Sequence, residues 1–442
     1  MNKIQQNKNF TMKQFLILIT FIFVVSATNA QDNIVPAPAQ KETIVIQNGT
    51  IYTATGRVIN NGSIVISDGK IQSVEANVNV PANAQVIDAT GKNVYPGLIL
   101  ANTDLGLKEI GSGVRGSNDY YELGDYNPGV RSIVAYDAAS VIINTLRSNG
   151  ILLANVSPRG GFLTGSSSVV QLDAWNWEDA MYSADNGMFL DMPSLMQPVR
   201  RSFRTVSTRD PVKEGIDKLV EVQQFFSEAK AYYLQANKKE TNLKFEALKP
   251  LFDKKQKLFI NASIARQILM AIDFKKKFDI DVVIVGGEDS YLVADLLKQN
   301  NIPVILNTMY NLPTMEDDDI DQPFKTPAVL QKAGVLFAIN DNDASARYRN
   351  LAFNAGTAIA HGLTPEQALK AVTSNAAKIL GISDKTGSLE PGKDANIIIA
   401  TGDIFDIRSG IITDAFIQGR KINLENKQTQ LYERYKGRYG LK

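Results

Sequence analysis

The sequence predicts an α/β protein, a (β/α)8 barrel of the TIM type joined to a small β-domain. Three observations carry that expectation. From Gly150 to Ile339, apolar runs of strand length alternate with helical stretches, as parallel βα units do. Both ends of the chain carry brief β-rich runs with Gly-containing turns between them. The chain has 442 residues, 44% hydrophobic and 21% charged, enough for a barrel of about 250 residues and a smaller companion.

The first residues read as an export signal. Lys3, Lys8 and Lys13 precede the apolar run Phe15–Val25, and small residues follow up to Ala30. This is the order of a secretory signal cut after Ala30, with Met12 as an alternative start. The apolar run is too short for the roughly 20 residues of a membrane span. Residues 31–42 read as a Pro/Ala-rich linker. Thr43–Ile46, Ser63–Ile66, Lys70–Val74 and Gln85–Asp88 then read as strands, with turns expected at Asn48-Gly49 and Asp68-Gly69.

After Pro96-Gly97 the pattern becomes strand and helix in alternation. Strands are expected at Gly150–Val156, Leu258–Asn261, Val282–Val285, Val304–Leu306 and Val335–Ile339. Helices are expected at Ser263–Phe278, Tyr291–Gln299 and Ser345–His361, and a loop from Leu306 to Pro327. Beyond Gly387 strands are expected at Ala395–Ala400 and Asp414–Ile417. Neither the segment 43–95 nor 387–425 has enough strands to hide both its edges and its apolar face. The two are therefore expected to combine into one composite β-sandwich around a barrel of residues 96–386, leaving 426–442 as a C-terminal tail.

Composition removes several functions. There are 47 basic and 46 acidic side chains, so no strong field draws in nucleic acid. No cysteine is present, which excludes disulfides, thiolate metal sites and cysteine nucleophiles. One histidine, His361, serves the whole chain. It sits at an expected helix C-terminus, where an imidazole favours the dipole and caps carbonyls. Gly160–Ser168 lacks the Gly-Lys-Ser/Thr of a phosphate loop and reads as a loop after a strand. The acidic run Glu316–Asp319 and Lys275–Lys277 read as solvated faces. The loop Leu107–Arg131 follows the first barrel strand and so belongs at the functional end. Its Arg115, Tyr120, Tyr121 and Glu122 are candidate ligand contacts, or members of an ordinary polar loop.

Three stretches carry a resemblance: Val94-Tyr95-Pro96-Gly97-Leu98-Ile99, Gly362–Ala368 with Thr373–Ala377, and Gly387–Ala395. In this order they resemble the amidohydrolase superfamily, in its imidazolonepropionase-like branch. The resemblance implies a metal-assisted hydrolase barrel with a β-sandwich built from both ends, cleaving C–N bonds in cyclic amides or dipeptides. It also implies histidine ligands, which this chain lacks. The first-strand His-x-His pair of the family falls on Asn102-Thr103-Asp104, and its fifth-strand histidine on Asn261. The sixth-strand histidine is missing in Val285-Gly286-Gly287. The eighth-strand aspartate falls within Asn340–Asp343, at Asn342 by straight alignment, with Asp341 and Asp343 beside it as candidate general bases. No bridging lysine or glutamate is apparent on the fourth strand.

Zinc prefers nitrogen and sulfur donors, so zinc, the family's cofactor, is expected to be absent here. Asp104, Asp341 and Asp343 could alternatively hold a hard Ca²⁺ or Mg²⁺ ion through oxygen. Two function classes follow: an exported C–N hydrolase working through unconventional oxygen ligands or none, or a catalytically degenerate binding module. The degenerate chain would take a small-molecule amide or pair with an active amidohydrolase homologue. An oligomer is expected. A periplasmic or extracellular location is expected, with no membrane span once the signal is removed.

Overall fold

The computed structural model describes residues 35–109, 119–196, 210–238, 240–307, 309–313, 317–342 and 347–441. The signal reading, Arg115 and Asp343 lie outside the described residues. Residues Pro36–Lys442 form one unit. Among the described residues, no helix is long and apolar enough to cross a membrane.

Eight strands make the barrel wall: β6 (Leu98–Thr103), β7 (Ile151–Val156), β8 (Leu163–Gln171), β9 (Met181–Asp191), β10 (Lys257–Ala262), β11 (Val282–Gly286), β12 (Val304–Leu306) and β13 (Phe337–Ile339). They are hydrogen-bonded in that order. Seven run parallel, and β8 runs antiparallel to both β7 and β9. The cause is the short link Ser157–Phe162: a parallel crossover needs about a dozen residues or more, so the chain turns straight back. Leu163–Ser168, read above as loop, is thus strand.

Alternation along the strands sorts their side chains. Ile99, Leu153, Val169, Phe189, Phe259, Val283, Ile305 and Ala338 form the inner cluster, with Phe189 stacked on Phe259 at 5.0 Å. Leu98, Leu152, Leu258, Ile284, Val304 and Leu306 pack outward against helical residues such as Phe226, Ile268 and Leu330. The helix Ser374–Leu380 covers the N-terminal end of the barrel: Lys257 Nζ donates to the Ile379 carbonyl at 2.7 Å, and Asn375 Nδ2 to that of Phe337 at 3.0 Å. The region expected to be a loop before Pro327 already contains the helix Gln322–Ala333, which starts with Pro323 in its first turn, where the missing N–H is harmless. His361 caps the helix Leu351–Ala360, with Nδ1 2.9 Å from the Thr357 carbonyl oxygen.

The remaining strands form a second sheet. β1 (Ile44–Tyr52), β2 (Val58–Ser67), β3 (Lys70–Glu75), β4 (Gln85–Asp88) and β5 (Lys92–Pro96) join β14 (Ile397–Thr401), β15 (Ile411–Ile417) and β16 (Arg420–Lys421). The order is β16-β15-β14-β5-β1-β2-β3, with β4 also against β1. Its seam is antiparallel pairing of β5 with β14, Val94 opposite Ile399. Ile46, Ile64, Ile66, Val94, Ile397 and Phe416 share its core. Asp68-Gly69 makes the expected two-residue turn, with φ of 51° and 76°. Asn48-Gly49 does not turn the chain: β1 runs through it as a bulge, with Asn48 at φ 65°. Gly49 is required there because a Cβ would come within 2.9 Å of Val94.

Both ends of the chain are tied to the barrel by a buried ion cluster. Asp173, with no exposed side-chain surface, pairs with Arg147 and with Arg420, the latter at 2.9 Å. Its Oδ2 also accepts from the Ala37 N–H at 2.9 Å.

Candidate functional site

One layer above the apolar interior, at the C-terminal ends of the strands, the inward positions become polar. This is the end at which barrels of this type carry function. Asn155 follows Leu153 on β7 and Asp191 follows Phe189 on β9. Asn261 follows Phe259 on β10, Asn307 follows Ile305 at the end of β12, and Asn340 follows Ala338 at the end of β13. Asn102 joins the layer from β6, where the register shifts near the strand end. The layer is therefore five amides and one carboxylate. Metal-site residue spacing finds none of Asn155, Asn307 and Asn340 as a set; the signal was an asparagine two residues beyond each inward apolar position.

The amides are bonded largely to one another and to backbone. Asn340 Oδ1 accepts from the Ala101 and Asn102 N–H groups at 2.8 and 3.2 Å, and its Nδ2 donates to the Asn102 carbonyl at 2.8 Å and to Asn307 Oδ1 at 3.1 Å. The ladders leave β13 and β6 as the two ends of the wall. The Asn340 amide thus takes the place of a strand partner and closes the seam. Asn102 Nδ2 donates to Asn307 Oδ1 at 3.3 Å, and its Oδ1 accepts from Ser157 Oγ at 2.7 Å.

Asp104, Asp191 and Asp341 each have a separate partner. Asp104 Oδ1 accepts from the Tyr348 hydroxyl. Burial, with Asp104 beside it, raises the Tyr348 hydroxyl pKa well above its usual value. Asp191 Oδ1 accepts from Asn261 Nδ2. Burial holds the Asp191 carboxyl above the usual carboxylate range, against that hydrogen bond and the charge of Arg159. Asp341 Oδ2 accepts from Asn354 Nδ2 of the helix Leu351–Ala360 at 3.0 Å. Asp341 is 4% exposed, and burial pushes its carboxyl up to about 6, with Arg347 opposing. Asp191 and Arg159 were not picked out from the sequence; Asp191 ends the fourth strand, where no family-type ligand was recognised.

Of the loop candidates, Tyr120 and Glu122 are joined to the Arg159 segment through backbone. The Arg159 N–H donates to the Tyr120 carbonyl at 2.5 Å and the Glu122 N–H to the Arg159 carbonyl at 3.4 Å. Lys108 Nζ lies 5.0 Å from the Tyr120 ring centre. Tyr121, 59% exposed, bridges Arg159 through its backbone. The loop therefore positions Arg159, whose charge bears on both Asp191 and Tyr348.

Residues 328–422 match the model of the amidohydrolase family. An amidohydrolase from Thermotoga maritima superposes with a TM-score of 0.74 at 25% identity, over 86% of this chain and 99% of that one. Residues 328–422 are thus similar to the amidohydrolase family, and the fold is that of a solved amidohydrolase. A dihydroorotase from Pelotomaculum thermopropionicum is 25% identical over 82% of the chain and 89% of the relative's length. An imidazolonepropionase from Thermoplasma volcanium is 37% identical, but over 82 residues that span 18% of this chain and 20% of that enzyme. The amide layer lies at the C-terminal ends of the barrel strands. That layer is a poor donor set for zinc, because neutral amide oxygens are weak ligands beside imidazole or thiolate. Among the described residues, no group of three or more His, Cys, Asp or Glu could hold a metal ion.

Proposed function

We propose that this chain is an exported, non-hydrolytic member of the amidohydrolase family whose barrel mouth binds a small amide-bearing molecule. The observation that carries the reading is the engagement of its carboxylates. Asp104, Asp191 and Asp341 each accept from a different neutral donor, Tyr348, Asn261 and Asn354. A hydrolytic metal needs several charged or imidazole donors converging on one point, with one position left open for water. Amide side chains instead offer a donor and an acceptor side by side, the complement of another amide. Arg159 adds a fixed positive charge for a carboxylate on the same ligand. Export rests on the succession Lys3–Lys13, Phe15–Val25 and Ser26–Ala30. A fold carries no activity across lost ligands.

Hydantoin, dihydroorotate and a set of dipeptides, offered with and without added zinc, test the reading. Expected are saturable binding of at least one, weakened about tenfold by Arg159→Ala or Asn261→Ala, and no turnover above the buffer rate. Metal-dependent turnover would identify an active hydrolase instead.

A further inference from the structure

A cavity of about 290 Å³ lies at the opposite end of the barrel from the amide layer. It opens where Lys257 begins β10, Val282 begins β11 and Val335-Leu336 lead into β13. The last turn of the helix Ala265–Phe278 brings Lys275 to it, and the helix Ala294–Gln299 brings Leu297 and Lys298. The volume is close to the lower end of small-molecule pockets, about 300 Å³. Lys275, in the run expected to be a solvated face, thus lines a cavity.

Its lining joins two chemistries. Ile302, Pro303, Val335 and Leu336 supply an apolar wall, and Lys257, Lys275 and Lys298 supply ammonium groups against the Asp281 carboxyl. Asp281 pairs with Lys275 at 3.5 Å, so two positive charges are left over. Lys257 is half-buried, and its Nζ donates to the Ile379 and Lys378 carbonyls at 2.7 and 3.2 Å, neutral acceptors that leave its charge uncompensated. Burial holds that ammonium below its usual pKa, with Asp281 opposing. Among the described residues neither Lys257 nor Lys298 forms an ion pair. A Cβ at Gly334, which lines the cavity, would lie 3.5 Å from Lys298 Nζ. A lysine in a last turn can also serve the helix-end carbonyls. Here main-chain groups take them: the Asn301 N–H donates to the Lys298 carbonyl at 3.1 Å, that of Ile302 to Leu297 at 3.0 Å and that of Val335 to Leu330 at 3.0 Å. The Lys298 ammonium is thus available to a ligand.

A half-buried charge without a counter-charge is costly, and an apolar wall beside it suits a ligand with a hydrocarbon body. We propose that this cavity binds a small organic carboxylate, its head among Lys257, Lys275 and Lys298 and its hydrocarbon body on Ile302, Pro303, Val335 and Leu336. An inorganic anion is the weaker fit, since it would leave the apolar wall uncovered.

The probe is hexanoate, with n-hexanol and n-hexylammonium as matched neutral and cationic controls and inorganic phosphate as a charge-only control, titrated into the full chain by calorimetry and ligand-detected NMR. Expected is saturable binding of hexanoate and none of the controls, with affinity rising up to about fourfold per methylene from butanoate to hexanoate. Lys298→Met keeps the length of an exposed side chain and removes its charge, so the variant should fold and bind about fivefold more weakly. Asp281→Asn removes the opposing carboxyl and should tighten binding roughly threefold, a gain that misfolding does not imitate. Arg159→Ala in the barrel mouth should leave binding unchanged, which separates this proposal from the one above. Absence of saturable hexanoate binding, equal binding of hexanol or phosphate, weaker binding by Asp281→Asn, or loss on Arg159→Ala with Lys298→Met unaffected would overturn it.

Discussion

Asp341→Asn should stabilise the protein in a strongly pH-dependent way. Asp341 is nearly inaccessible, and its carboxyl titrates at about 6 in the folded chain against 3.8 as its ordinary value. The native state therefore holds the proton more tightly than the unfolded chain does. The sign follows: the contribution of this group to stability is fully present below about pH 4, is lost as pH rises through the window from 3.8 to about 6, and stays lost above it. A rise of about two units corresponds to roughly 3 kcal/mol, the ceiling on what charging this group costs at neutral pH. Asparagine has the same shape, carries no charge and can still accept from Asn354 Nδ2. The variant should thus gain up to about 3 kcal/mol at pH 8 and nothing from this source below about pH 4. For a chain of this size that is a rise of roughly 3 to 4 °C in Tm. Thermal and urea unfolding of both proteins at half-unit steps from pH 3.5 to 8 would trace the difference. Parallel curves across the window would refute the assignment of a buried, raised carboxyl.

Other substitutions test separate parts of the structure. Asn340→Ala removes the amide that bonds to the Ala101 and Asn102 backbone, so it should cost at least about 3 kcal/mol and speed hydrogen exchange at those two amides. Asp173→Ala leaves Arg147 and Arg420 without their shared partner; a loss of about 3 to 5 kcal/mol in urea unfolding is expected, as for a broken buried ion pair. Ending the chain before Gly387 removes β14 and bares the edge of β5. Amide protection at Lys92–Tyr95 should then fall, and unchanged protection would mean that the N-terminal strands hold together alone.

Much of the scaffold could be read from the chain because its strands are buried on both faces. Val282–Val285 and Val304–Leu306 are continuous apolar runs, bounded by Asp281 and Gly286 and by Pro303 and Asn307, and no helix of that length competes. β8 escaped because its sequence, Leu-Thr-Gly-Ser-Ser-Ser-Val-Val-Gln, is rich in serine yet buried at every position, so neither alternation nor hydrophobicity marks it. Its reversed direction came from the length of the link before it, a constraint visible only once both strands are placed. Asn48-Gly49 looked like a turn because its residues favour positive φ, a conformation that a bulge uses equally. At the mouth, Asn102, Asp104 and Asn261 were located through the positions where the family keeps histidines. Asn155, Asn307 and Asn340 were not, since an amide has no spacing rule of its own. Asp191 and Arg159 lie outside all three segments that carry the resemblance, and only the packing of β9 and the Tyr120 loop brings them to Asn261.

The most direct measurement is the zinc content of the purified chain after equilibration with micromolar zinc and dialysis, read by elemental analysis beside a hydrolysis assay. With amides at Asn102 and Asn261 and the carboxylates of Asp104, Asp191 and Asp341 engaged separately, far less than one zinc per chain should remain, with no hydrolysis of dipeptides or cyclic amides. Retention of one zinc per chain, with hydrolysis that disappears in Asp104→Ala, would contradict the non-hydrolytic reading and make this protein an oxygen-ligated hydrolase.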